Sequence, residues 1–126
     1  MQIARVRNLT NANGRPWANQ INITFKTPDG EELEMLQSYD APVALVDRNC
    51  RPMHITIGDK WNYSATTTRA VCKFLEDYTG SKWTKAEIER ALDCGIISIY
   101  DRTTGATPFW EVHNGADCYF QDFFEH

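Results

Sequence analysis

Nine consecutive residues, Trp61-Asn62-Tyr63-Ser64-Ala65-Thr66-Thr67-Thr68-Arg69, bring together an indole, a phenol, four aliphatic hydroxyls and a guanidinium. Helical periodicity begins immediately after Ser64, so this stretch coincides with a helix start. As a site, the unpaired N–H groups of a first helical turn, the hydroxyls of Ser64, Thr66, Thr67 and Thr68 and the cation of Arg69 could hold a phosphate or carboxylate. Trp61 and Tyr63 would then serve as stacking surfaces. As structure, Ser64 or Thr66 caps the helix and the two rings pin the incoming strand to the core. The residues alone leave both readings open. A glycine-rich loop and a Walker lysine are missing, so close wrapping of a polyphosphate is not encoded.

The second stretch with chemical content is Asp117-Cys118-Tyr119-Phe120-Gln121-Asp122-Phe123-Phe124-Glu125. Aromatic area interleaved with acids is how protein interfaces are composed, and it makes Asp117, Tyr119, Phe120, Asp122, Phe123, Phe124 and Glu125 candidate partner-binding residues. The competing reading is a last strand or short helix whose aromatics complete the core while the acids face water. Charge points the same way. Residues 1–60 hold seven Lys/Arg and seven Asp/Glu, residues 61–100 five of each, and residues 101–126 one base against five acids. The net charge of −4 therefore sits in the last fifth of the chain. Duplex DNA needs clustered Lys and Arg, which a neutral body with an acidic end does not supply. An electropositive partner fits better.

Catalytic and metal signals are sparse. His54, His113 and His126 show no HxxxH or HExxH spacing, and Cys50, Cys72, Cys94 and Cys118 contain no CxxC pair. No metal, cofactor or catalytic residue is expected. His113, Asp117 and Cys118 could be drawn as a base and nucleophile, but they are too close in sequence to meet without a special fold. Arg69, Lys73, Lys82, Lys85 and Arg90 invite a helix-turn-helix reading. They are matched one for one by Glu76, Asp77, Glu87, Glu89 and Asp93, which leaves neither helix with a preference for a DNA groove.

The elements that must position these residues are legible in outline. Ile21, Ile23 and Phe25 alternate with Gln20, Asn22 and Thr24, the period of a strand with one wet face. Pro28-Asp29-Gly30 supplies a turn, after which Leu33, Met35 and Tyr39 resume the alternation. "PVALVDR" and "MHITIGD" read as a further strand pair, and "IARVRNL" as an edge strand before the polar loop "TNANGRPWAN". Ala70, Val71, Phe74, Leu75 and Tyr78 then recur at helical spacing over residues 65–79, with Gly80 as the stop. Thr84 and Glu87 form a capping box that opens a second helix closed by Gly95. "IISIYD" and "PFWEV" read as strands. The order predicts an α+β fold in one domain: an antiparallel sheet of five to seven strands with a helix pair packed on one face. No apolar run reaches the roughly 18 residues that span a bilayer, and no secretion signal is recognisable, so a cytoplasmic location is expected. The sequence does not say whether the sheet has an open edge used for dimerisation, so self-association stays open.

With Gln37-Ser38-Tyr39, then Trp61, Tyr63, Ser64, Thr66, Thr67 and Arg69, then Phe74-Leu75 in view, the chain resembles a family of small domains of unknown function from bacteriophages and other mobile elements. The likeness spans residues 18–76 and rests on a W-x-Y-S-x-T-T-x-[RK] pattern before a helix ending in F-L. It carries no catalytic residues. What it implies is an accessory protein in the cytoplasm of a bacterial host, of the anti-CRISPR or antirestriction type. Such a protein binds and inhibits a host protein with a basic nucleic-acid-binding surface, here through the acidic, aromatic C-terminal stretch. The alternative expectation is a non-catalytic module that sequesters a small phosphorylated ligand, such as a nucleotide signal, at Trp61, Tyr63, Ser64, Thr66, Thr67 and Arg69.

Overall fold

Short turns carry the first half of the chain back and forth. The computed structural model describes residues 2–27, 30–49 and 53–100. "PFWEV" and the acidic, aromatic stretch 117–125 lie outside the described residues. Strands β1 (Gln2–Thr10), β2 (Pro16–Lys26), β3 (Glu32–Ser38), β4 (Ala41–Asp47) and β5 (His54–Gly58) are followed by helices α1 (Ala65–Thr79) and α2 (Lys85–Asp93) and by β6 (Ile97–Tyr100). They form a six-stranded sheet in sequence order. β1 to β5 pair antiparallel, as expected, whereas β6 pairs parallel to β5, with Ile57 beside Ile99. The parallel return follows from the helix pair, which supplies the long crossover that parallel neighbours require. The fold is α+β.

Helix α1 occupies the residues its spacing predicts, because both ends are set by local chemistry. The Ser64 hydroxyl accepts from the Thr67 N–H at the start, and Gly80 takes a left-handed φ of 76° at the end while its N–H donates to the Glu76 carbonyl. In α2 the Thr84 hydroxyl accepts from the Glu87 N–H at 3.2 Å. One face of each helix packs on the sheet. Ala70, Val71, Phe74 and Leu75 of α1 and Ile88 and Ala91 of α2 join Leu36, Ala44, Val46, Ile55, Ile57 and Ile97 in one core.

The strand faces depart from expectation. Gln20, Asn22 and Thr24, the polar side of the β2 alternation, are 0%, 3% and 0% exposed rather than wet. The register sets them beside Ser38, Leu36 and Glu34 of β3, on the side under the helices. The polar stripe is thus interior. It is tolerated because Asn22 and Thr24 share a buried partner, described below, as polar groups without water require. Strands β3, β4 and β5 are buried on both faces. At the end of β5, a Cβ on Gly58 would meet the Pro42 carbonyl oxygen at 2.5 Å, so the close approach of β4 and β5 there depends on glycine.

Candidate functional site

The hydroxyls at the start of α1 are largely committed to structure. Ser64 Oγ accepts from the Thr67 N–H at 3.1 Å, and Thr67 Oγ1 lies 3.0 Å from Ser38 Oγ, tying the helix to the β3–β4 turn. Thr66 Oγ1 accepts from the Arg69 guanidinium at 3.4 Å. Trp61 is 3% exposed and belongs to the core, so neither face of its indole is open to a ligand. Tyr63 is 77% exposed, with the Lys60 ammonium 5.5 Å over its ring. Ser64, Thr66, Thr67 and Arg69 are therefore neighbours, while the buried Trp61 ring offers them no open face. Tyr63 and Thr67 instead line a cleft of about 470 Å³ with Tyr39 and Lys60. Tyr39 holds a left-handed φ of 58°, an uncommon conformation for a bulky residue.

On the opposite flank of α1, residues far apart in sequence close around a larger cleft of about 690 Å³. Its floor is apolar: the indoles of Trp17 and Trp83 and the thiol of Cys72. Its rim is cationic, with Arg69, Lys73 and Lys85 outnumbering Glu76. Each wall is fixed locally. Asn11 Oδ1 accepts from the N–H groups of Asn13 and Arg15 at 3.0 and 3.1 Å, which shapes the β1–β2 loop that forms one wall. Asn8 Nδ2 donates to the Trp17 carbonyl at 3.0 Å. Across the cleft, Trp83 Nε1 donates to Thr79 Oγ1 at 2.9 Å, which orients the second indole at the α1–α2 junction. Lys73 pairs with Asp77, and Lys85 lies 4.0 Å from Glu89, both one turn along the same helix. Burial pushes the Cys72 thiol pKa up, and the Glu87 carboxylate pushes it further. A raised thiol is a poor nucleophile.

A buried polar cluster lies near the other end of α1. Glu34, 3% exposed, accepts on Oε1 from Thr24 Oγ1 at 2.6 Å and Asn22 Nδ2 at 3.1 Å. The Tyr78 hydroxyl lies 2.7 Å from Asn22 Oδ1 and 3.0 Å from Glu34 Oε1, and it accepts from Arg7 at 2.9 Å. The Arg48 guanidinium sits 5.6 Å over the Tyr78 ring. Burial, then the Glu34 charge and hydrogen bond, push the Tyr78 pKa up to about 12. The phenol therefore stays a neutral donor. The cluster satisfies a buried carboxylate and joins β1, β2 and β3 to α1.

Of the residues that line the larger cleft, the sequence pattern singles out Arg69 and neither indole. Trp17 stood in a polar loop and Trp83 just before a capping box, with no local pattern to join them. The candidate partner residues Asp117, Tyr119, Phe120, Asp122, Phe123, Phe124 and Glu125 lie outside the described residues. Among the described residues, no three His, Cys, Asp or Glu side chains gather as a metal site would require. No described helix is long and apolar enough to cross a membrane.

Fold and site together define an α+β domain with an indole-floored, cation-rimmed cleft between its N-terminal hairpin and its helix pair. The chain belongs to the family DUF8033, a family of unknown function, which matches residues 6–90. No curated protein and no solved structure matches it. The matched span runs from within β1 into α2, so it contains every residue of the larger cleft and stops short of the acidic C-terminal stretch.

Proposed function

We propose that this protein is a non-catalytic binding module for a small anionic ligand with an aromatic ring system, a phosphorylated nucleoside being the chemical type. The observation that carries the reading is the meeting of Trp17 and Trp83 with Arg69, Lys73 and Lys85 around one cleft of about 690 Å³. That volume falls within the roughly 300–1,000 Å³ of small-molecule sites. Indoles offer flat, polarisable surfaces to a base, and a guanidinium with two ammonium groups offers charge to a phosphate. The ligand class is the one expected at the start of α1. The larger cleft shares Arg69 with that expectation and adds the indoles of Trp17 and Trp83.

The test is a thermal-shift and fluorescence screen of the full chain against cyclic and linear mononucleotides. A ligand at one hundred times its dissociation constant is expected to add about 2.7 kcal/mol of stability. Binding should quench tryptophan emission, and Arg69→Gln with Lys85→Gln should weaken it. Both side chains are exposed, so the double change leaves the fold intact. No shift with any nucleotide, or a shift indifferent to these two changes, overturns the reading.

The charge asymmetry supports a second reading. Five acids against one base in residues 101–126 suit a basic partner surface, as in a phage-encoded inhibitor of a host nucleic-acid-binding defence protein. Asp117, Asp122 and Glu125 would be its contacts. Changing these three to Asn or Gln is then expected to abolish inhibition of such a host system, and retained inhibition refutes it.

A further inference from the structure

The charges around the larger cleft are not equally committed. Lys73 pairs with Asp77, and Lys85 lies 4.0 Å from Glu89, so each ammonium already faces a carboxylate of its own helix. Arg69 is exposed, and its guanidinium has only the neutral Thr66 hydroxyl, at 3.4 Å, among the described residues. Glu76 is the carboxylate of the cleft lining; it is half-buried, and its side chain makes no hydrogen bond or ion pair to any described residue. An uncommitted cation and an uncommitted anion thus border one cavity from one helix. At about 1.5 Å per residue, the seven positions from Arg69 to Glu76 amount to roughly 10 Å along α1, two turns on the same face. Both Cα–Cβ bonds tilt towards the helix N-terminus, which keeps that separation at the side chains.

Resting on the reading that this cleft binds a phosphorylated nucleoside, we infer that its ligand is a nucleoside monophosphate of an amino-substituted purine. Arg69 holds the single phosphate, Glu76 accepts from the exocyclic amine, and the ring lies against the indoles of Trp17 and Trp83. The two ends of the ligand match the two ends of the cleft, since phosphate and amine stand at opposite extremes of an extended aminopurine nucleotide. A fused ring gives the reach and the stacking area that a single ring lacks. The guanidinium fork suits one phosphate through paired N–H donors. Further phosphates would meet ammonium groups already neutralised, with the carboxylates of Asp77 and Glu89 beside them, so a triphosphate has no added attraction. A purine without an amine would cover Glu76 and leave it no donor, which is the condition under which a polar site discriminates best.

The test is titration calorimetry of the full chain with adenosine monophosphate against purine riboside monophosphate, and with guanosine monophosphate against inosine monophosphate. In each pair the second compound lacks only the amine of the first. The aminopurine that binds is expected to lose about tenfold in affinity with its amine, the scale of one hydrogen bond to a charged group. Its triphosphate should bind no tighter than its monophosphate. Glu76→Ala should bring the two members of the pair together, whereas Arg69→Gln should weaken both alike and keep their ratio. Equal binding with and without the amine, an amine preference that survives Glu76→Ala, or a triphosphate that binds tighter than the monophosphate overturns this inference and leaves the binding module standing. Binding of none of these nucleotides removes the module, and the inference falls with it.

Discussion

Tyr78 carries an unusual load for a half-buried residue, since one phenol oxygen serves Arg7, Asn22 and Glu34. Because its pKa rises to about 12 on folding, from about 10 in an unfolded chain, the stabilisation it contributes is fully present below pH 10. That contribution is lost as pH climbs through 12. Alkaline unfolding should therefore steepen in this window and flatten in Tyr78→Phe. In Glu34→Gln the charge that helps hold the proton is gone, and the tyrosinate absorbance assigned to position 78 should appear at lower pH. An unchanged titration would show that burial alone sets the value. Gln20 poses the opposite case. It is 0% exposed, and its amide oxygen and nitrogen have no hydrogen-bond partner among the described residues. An apolar side chain of the same length removes that orphan, so Gln20→Met should raise stability by about 1 kcal/mol in chemical denaturation. A loss of stability would mean that the amide holds a group of its own. Neither residue's role was visible in the sequence. Alternation gave the period of β2 correctly, but which of its two faces lies under the helices depends on β3 and on Tyr78, fifty-six residues from Asn22.

Elements bounded by local chemistry were the legible ones. Ser64, Gly80, Thr84 and Gly95 mark helix ends through hydrogen bonds and backbone angles that span four residues or fewer, and the sequence carries all of that information. Strand partners are set by contacts across the chain, which is why the parallel pairing of β6 and the double burial of β3 and β4 were not foreseen. The contrast gives two graded expectations. Ser64→Ala removes the cap of α1 and the bond from Ser64 to Thr67, and should cost about 1 kcal/mol. Gly58→Ala drives a methyl group against the Pro42 carbonyl, a backbone atom that cannot swing aside, and should cost roughly 1–3 kcal/mol or more. Equal melting temperatures for the two variants would mean that β5 can move away from β4 at its end.

At the scale of the whole molecule, the larger cleft exists only because the sheet order brings the N-terminal hairpin to the helix pair. Trp17 follows the β1–β2 loop and Trp83 the α1–α2 junction, and no short-range pattern predicts their meeting. A ligand bridging them must act on both walls. Bound ligand should therefore slow amide exchange together in the loop around Asn11 and Asn13 and in the segment from Thr79 to Lys85. These are surface segments whose opening costs far less than global unfolding. The cap of α1 near Ser64 and Tyr63 should be indifferent, because its hydroxyls are already bonded to Thr67 and Ser38. Joint protection of the two distant segments would place the ligand between hairpin and helices. Protection confined to the cap would return the site to the start of α1, where Ser64, Thr66 and Thr67 would have to release their present partners before accepting an anion.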